Sequence, residues 1–289
     1  MLELLMKNFL FNIMYLKIII LVFVIIFLVF ISSKKIKNIN DKNYRVALCI
    51  SGAIRNKEIF CSNIIEKILK PYNPDIFICV YDGNNPSESK YLYDTLKPVT
   101  MMIHNKKPQK IKNKDFLENS VSMFEKIYLC NELKKQHENK YNFKYDVVIR
   151  IRPDLLINSD FKIDFENIND CFYSPNRSLY NVLGYVTDQV FYGSSDTIDK
   201  VVNLYKDLEN QSDKCIIPEI VLKSYLKQNN IEIKYILANH IIIDYIIKNV
   251  FNINNLNDNL KAYKTLKKKE KYKERKMECV NYYINNFLI

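Results

Sequence analysis

Arg150, Arg152 and Asp154 occupy alternate positions in the stretch Tyr145–Ile157, which reads Tyr-Asp-Val-Val-Ile-Arg-Ile-Arg-Pro-Asp-Leu-Leu-Ile. Residues two apart share one face of a strand, so the two guanidinium forks project together. Asp154 joins them if the chain stays extended through Pro153. Forked guanidinium groups match phosphate oxygens two at a time, which makes the trio a candidate grip for a phosphorylated ligand. The same residues also read as a structural ion pair at a sheet end. A second candidate is Ser51-Gly52-x-x-Arg55. Gly52 would let backbone approach a ligand, the amides of a following helix would favour an anion, and Arg55 adds another fork; equally, a lone glycine after a strand closes a turn. Asp82, placed to accept a hydrogen bond from a ribose hydroxyl, sits beside Gly83 as a turn carboxylate would.

The elements that must position these groups follow from hydrophobic patterning. Five of the seven residues from Tyr145 to Ile151 are β-branched or aromatic, so this segment reads as a strand buried on both faces. Arg45–Ile50 reads as a buried first strand running into Ser51, and Asp75–Tyr81 as a second, stopped by Asp82-Gly83-Asn84. A helix from Asn56 or Lys57 to about Lys70 lies between them, ended by Pro71 and Pro74. A short helix near Ser87–Leu96 and a strand near Val99–His104 continue the βαβ rhythm. Ser120–Glu138 then forms a long amphipathic helix that leads into the central strand. A polar stretch is expected after Asp154, followed by a short strand at Cys171–Ser174 and a strand Asp188–Gly193. Next come a helix capped by Ser195 that runs to about Leu208, a helix opened by Pro218-Glu219, and a last strand Ile231–Leu237. This pattern predicts an α/β domain over residues 45–250, with a mixed, mostly parallel, Rossmann-like sheet flanked by helices. Ligands of such sheets lie beyond the carboxyl ends of strands, where Arg150, Arg152 and Asp154 would sit.

The flanks differ in composition. Ile18–Ile31 is an unbroken apolar run, and counting from Phe9 gives about 34 Å of helix, enough to cross a bilayer. The competing reading is a cleaved signal peptide, but the run ends in Val29, Phe30 and Ile31 with small residues only at Ser32-Ser33. Residues 1–33 are therefore expected to be a single-pass membrane anchor and 34–44 a basic linker. Lys34, Lys35, Lys37, Lys42 and Arg45 follow the span while Lys7 precedes it, which by the positive-inside rule puts the main domain in the cytosol. The glycosylation-type triplets at Asn176 and Asn210 would matter only on the lumenal side, and such triplets arise by chance in an Asn-rich chain. Of the net charge of +11, Lys261–Glu278 carries +6, so the excess belongs largely to a basic, helical C-terminal tail, 251–289. With Tyr263 and Tyr272 as the only aromatics of its Lys261–Lys276 run and no recognition fold, that tail suits a solvated or membrane-facing segment; no nucleic-acid partner is expected.

Several chemistries fall away. Seven dispersed cysteines without C-x-x-C spacing read as buried free thiols rather than a zinc site or a disulfide framework. Neither G-x-G-x-x-G nor G-x-x-x-x-G-K-[ST] occurs, which argues against dehydrogenase and P-loop functions. Asn158 lies four residues after Asp154 where a kinase catalytic loop needs five, and without G-x-S-x-G no hydrolase triad is legible.

The ordered set resembles a known family. Ser51-Gly52-x-x-Arg55, Asp75-Ile-Phe-Ile, Tyr145-Asp-x-Val-Ile-Arg-x-Arg-x-Asp154, Asp188-Gln-x-Phe-Tyr-Gly193 and Pro218-Glu219 before an apolar helix are similar to the glycosyltransferase-like proteins of bacterial surface-polysaccharide loci and large DNA viruses. The resemblance spans about residues 45–240. It implies a GT-A-like fold, a nucleotide-sugar donor, a glycan, lipid or protein acceptor, and usually Mn²⁺ or Mg²⁺ held at an Asp-x-Asp motif. This chain departs from that motif: Arg152 stands at its first acidic position and Asp154 alone remains. Within that frame Ser51, Gly52, Arg55, Asp82, Arg150 and Arg152 are the candidate donor-binding residues. Asp154 is the candidate metal ligand, completed by water, and Asp188 or Glu219 is the candidate base toward an acceptor hydroxyl. Asp188 also reads as a strand-start carboxylate and Glu219 as a first-turn helix charge. The expected function is a membrane-anchored glycosyltransferase. The alternative is a membrane-tethered protein that keeps the fold and binds without catalysis.

Overall fold

The computed structural model of the protein describes residues 44–111, 118–157, 160–175, 186–212, 217–236 and 240–242. The expected anchor over 1–33, the linker up to residue 43 and the tail over 251–289 lie outside the described residues. Among those described, no helix is long and apolar enough to cross a membrane.

Runs of β-branched and aromatic side chains can be buried on both faces only in the middle of a sheet with helices on either side. Such runs form Val46–Ala53 (β1), Asp75–Tyr81 (β2) and Val147–Ile151 (β4); the half-exposed Thr100–Ile103 (β3) lies at the sheet edge, with Leu155–Ile157 (β5), Cys171–Pro175 (β6), Val190–Gly193 (β7), Glu232–Ile236 (β8) and His240–Ile242 (β9) completing the strands described. Seven strands make one sheet in the order β3-β2-β1-β4-β7-β6-β8, and β5 pairs with β9 in a separate two-stranded sheet. Within the large sheet β7 alone runs against its neighbours, so four of the six pairings are parallel and the sheet is mixed but mostly parallel.

Alternation sorts the side chains into two layers. Ala47, Cys49, Phe77, Val148 and Phe191 face Glu118–Tyr141 (α3), Ser195–Val202 (α4) and Pro218–Gln228 (α6), meeting Phe124, Ile127, Ile198 and Leu222. Leu48, Ile50, Ile78, Ile149 and Ile151 face the other way, against Phe60 and Ile64 of Lys57–Ile64 (α1) and Leu92 of Pro86–Leu96 (α2). Helix α1 continues through a π-helical stretch, Ile65–Leu69, and a last turn, Lys70–Tyr72, which Asn73 ends in the left-handed conformation. At the start of α2 the Asn85 side chain accepts from Ser87 N and Pro86 takes the first helical position.

A buried polar network clamps α3 to α4. Lys134, fully buried, pairs with Glu138 at 3.0 Å and Asp199 at 2.9 Å and also meets Ser195 Oγ. Glu138 Oε1 accepts from Ser195 Oγ at 2.6 Å and from Tyr145 N at 2.9 Å, which fixes the entry to β4. Ser195 is therefore a network residue, and the α4 cap is Ser194, whose side chain accepts from Thr197 N. Cys49, Cys61, Cys79, Cys130 and Cys171 are buried free thiols, as the spacing suggests. Burial pushes Cys61 up to about 11 and Cys79 up to about 12, so neither is a thiolate at neutral pH.

The structure differs from the sequence expectation in four places. Strand β1 runs on to Ala53, so Ser51 and Gly52 lie within it. Pairing of β5 with β9 organises the stretch after Asp154 that was expected to be only polar chain. The helix expected to reach Leu208 stops at Val202 and gives way to a 3-10 turn, Asn203–Tyr205, and a short helix, Leu208–Ser212 (α5). Asp188 and Gln189 precede β7 rather than begin it.

Candidate functional site

Strand β1 lies between β2 and β4, so the chain leaves its carboxyl end toward one side while β4 enters from the other. Where neighbouring parallel strands connect in opposite directions, a crevice opens beyond their carboxyl ends. Register sets the depth of each residue there: Cys49 pairs with Arg150 and Ile50 with Ile151, while Ile151 faces Val190 on the other side. The next residue, Arg152, still donates its backbone N–H to Gln189 O at 3.0 Å. Gly52 near the end of β1, Arg152-Pro153-Asp154 after β4 and Asp188-Gln189 before β7 therefore reach the same edge of the sheet.

Gly52 is what lets β1 and the β4 exit come this close. Its φ is +139°, and an added Cβ would stand 3.1 Å from Pro153 Cδ and 3.9 Å from Arg152 Cγ. That backbone region is open to glycine and strained for any other residue. The chain does not stay extended past Arg152. Pro153 and Asp154 turn, and Asp154 folds back onto Arg152, whose Nε donates to Oδ1 at 3.0 Å and Nη2 to Oδ2 at 2.6 Å. Arg55 Nη1 lies 3.6 Å from the same Oδ2. Asp154 is 2% exposed, Arg152 23% and Arg55 49%, so one buried carboxylate holds two arginines with partly exposed side chains. Burial works against the charge on Arg152, yet Asp154 beside it, with Asp188 and Glu219 further off, raises its pKa. Beyond Asp154 the chain is fixed at once by β5, where Asn63 of α1 accepts from Ile157 N at 2.8 Å and donates to Ile157 O at 2.9 Å. Only three residues bridge β4 and β5, which restricts how far the Arg152–Asp154 pair can move.

Arg150 has a different place. It is 1% exposed, and its Nε and Nη2 donate to Ser51 Oγ at 3.1 Å and Ser51 O at 3.2 Å. Its guanidinium carbon lies 5.6 Å from the centre of the Phe191 ring. Burial pulls its pKa down to about 10, opposed first by Asp188, so it is still a cation at neutral pH. Among the described residues Nη1 has no hydrogen-bond partner. Arg150 thus ties β4 to the end of β1 just before Gly52, while Ser51, fully buried, faces that guanidinium rather than solvent.

Asp82 is similarly committed. Its carboxylate accepts from Asn84 N at 2.9 Å, Ser89 Oγ at 3.0 Å and Asn105 Nδ2 at 2.9 Å. Burial pushes its carboxyl up, but these donors hold it below the usual range. It closes the β2–α2 turn against the chain leaving β3. Asp188, 6% exposed, and Glu219, in the first turn of α6, join the arginines through charge: Asp188 acts on both Arg150 and Arg152, and Glu219 acts on Arg152.

Electrostatics decide what this arrangement can take. At an effective dielectric constant near 20, unit charges about 4 Å apart interact by about 4 kcal/mol. A divalent cation on Asp154 would meet roughly twice that in repulsion from each flanking guanidinium, less for the half-exposed Arg55, and would draw attraction from a carboxylate whose two oxygens Arg152 already engages. As placed, Asp154 does not fit a hard-cation ligand, which needs open oxygen donors. An anion at the same spot is attracted by both forks.

From the sequence, Arg150, Arg152 and Asp154 were expected on one face with Arg55 and Asp188 in the same cleft; the structure brings Arg55, Arg152 and Asp154 together and sets Arg150 behind them on Ser51. Pro153 as the partner of Gly52, Asn63 as the clamp on β5 and the backbone of Gln189 were not anticipated. Asn63 stands among other polar residues of α1, such as Lys57, Glu58 and Ser62, so its position beside the buried Ile64 was the one signal available for it.

A family model described as "domain of unknown function (DUF7796)" matches residues 41–245. The chain belongs to the DUF7796 family. The match takes in every strand of the large sheet and all the residues gathered at its switch point. No curated protein matches the chain.

Proposed function

We propose that this DUF7796 protein is a glycosyltransferase that binds a nucleotide-sugar donor at the carboxyl ends of β1 and β4 and moves the sugar to a hydroxyl of a glycan, lipid or protein. One observation carries the reading: two arginines with partly exposed side chains, Arg55 and Arg152, converge on Asp154 at the sheet's switch point. Asp188 and Glu219 are near enough to act on Arg152 electrostatically. In the proposed reaction the acceptor oxygen bonds to the anomeric carbon while its proton passes to Asp188 or Glu219. The bond from that carbon to the diphosphate oxygen breaks, and its electron pair leaves with the diphosphate, whose growing charge Arg55 and Arg152 neutralise. Arg150 acts by holding Ser51, and through it the end of β1. The apolar N-terminal run would tether the enzyme to a membrane, with its main domain on the cytosolic side by flanking charge.

Incubating the full chain with a panel of nucleotide sugars, with and without Mn²⁺, tests this through release of free nucleoside diphosphate. At least one donor is expected to bind and turn over slowly to water, and Arg152→Ala should weaken that donor about tenfold or more. Absence of both binding and hydrolysis across the panel would contradict the proposal. The closure of Asp154 onto Arg152 favours one second reading, a binding protein that holds the nucleotide without transfer; donor binding with no turnover in the presence of acceptors would select it.

A further inference from the structure

Resting on the transferase reading, we infer that this chain holds the donor diphosphate without a divalent cation, the Arg55 and Arg152 forks standing where a metal would otherwise bridge the phosphate oxygens. The position that could have carried a second acidic ligand carries Arg152. That arginine engages both oxygens of the one remaining carboxylate, at 3.0 and 2.6 Å, and Arg55 approaches the same carboxylate at 3.6 Å. Asp154, 2% exposed and fixed between β4 and β5, is a rest for these forks: it keeps them assembled and charged at the crevice while no anion is bound. The Arg55 side chain is 49% exposed and that of Arg152 23%, so an arriving diphosphate can share or take over donors of these arginines while Asp154 retains one of them. Asp154 then competes with the ligand for the same cations. A metal ligand would cooperate with the diphosphate, so the two roles predict opposite effects of removing its charge.

Inorganic pyrophosphate, titrated into the full chain by calorimetry, separates the cases without needing the nucleotide or sugar to be known. Binding in EDTA is expected to match binding in Mn²⁺ within about twofold. Arg55→Ala, at a half-exposed side chain, should weaken it about tenfold in both buffers, with an unchanged circular dichroism spectrum as the check that the variant folds. Asp154→Asn, which keeps the shape and loses the competing charge, should bind pyrophosphate at least as tightly as the parent in EDTA. Binding that appears only with Mn²⁺ and disappears in Asp154→Asn would overturn the inference and leave a diphosphate-binding transferase standing. Absence of pyrophosphate binding in either buffer would overturn the inference together with the reading beneath it.

Discussion

Gly52 shows how much a single residue contributes to the arrangement. Its positive φ and the 3.1 Å approach of Pro153 mean that a methyl group there is both strained and crowded. Gly52→Ala should lower stability by about 2–3 kcal/mol. Gly83 supplies the comparison, because its φ is also positive, +67°, but an added Cβ would meet nothing within 4 Å. Gly83→Ala should cost only about 1 kcal/mol. Urea unfolding of the two variants checks the difference, and equal losses would mean that the contact with Pro153 is not tight. The sequence offered Gly52 as a turn or as a close backbone approach to a ligand, not to Pro153. Its conformation and its neighbour depend on β4 lying beside β1 in one particular register, which no local pattern encodes. Arg150 and Arg152 looked equivalent for a related reason. Spacing puts them on one strand face, but only the fold reveals that Arg150 is sealed over Ser51 while the turn at Pro153 carries Arg152 and Asp154 to the edge.

At the scale of elements, α3 and α4 are joined by charge as well as by apolar packing. Lys134 is fully buried among Glu138, Asp199 and Ser195, whereas Lys135, one residue on, is 38% exposed and pairs with Glu132. Removing one partner of a buried pair leaves an uncompensated charge, so Lys134→Ala should lose about 3–5 kcal/mol. Lys135→Ala should lose less than about 1 kcal/mol. Thermal unfolding of the pair checks both figures. The same network gives an acid limit. Burial raises the Asp199 carboxyl, but Lys134, Asn131 and Lys144 outweigh it, and the pKa in the fold lies below the ordinary 3.8. A carboxyl depressed in this way stabilises the fold fully above its unfolded pKa and loses that contribution as pH falls through the folded value. The stability advantage of the parent over Asp199→Asn should therefore hold from neutral pH to about pH 4 and shrink below it, as read by urea unfolding at a series of pH values. Spacing could pair Lys134 only with Glu138, four residues on along α3; Lys134 and Asp199 are 65 residues apart on amphipathic helices whose charges look solvated.

For the molecule as a whole, the strands and helices of the βαβ half were legible because long apolar runs and 3.6-residue stripes report burial directly. Asp75–Tyr81 has the bounds its pattern predicted, and the parallel order followed from strands that alternate with helices. The second half was harder to read. The antiparallel β7 and the β5–β9 pair are short strands whose pairing is decided by distant segments, so their sequences carry little signal of their own. The candidate site was legible as a list of residues and not as a hierarchy. Arg55 and Arg152 meet at Asp154, Asp82 closes a turn, and Arg150, expected beside Arg152, braces the strands behind the crevice with Ser51.

The account stands or falls on where a nucleotide diphosphate binds. A crystal structure of the chain soaked with uridine or guanosine diphosphate should place the diphosphate beyond β1 and β4, with its oxygens about 3 Å from the Arg55 and Arg152 guanidinium groups. A nucleotide bound elsewhere, with both arginines still closed on Asp154, would contradict it.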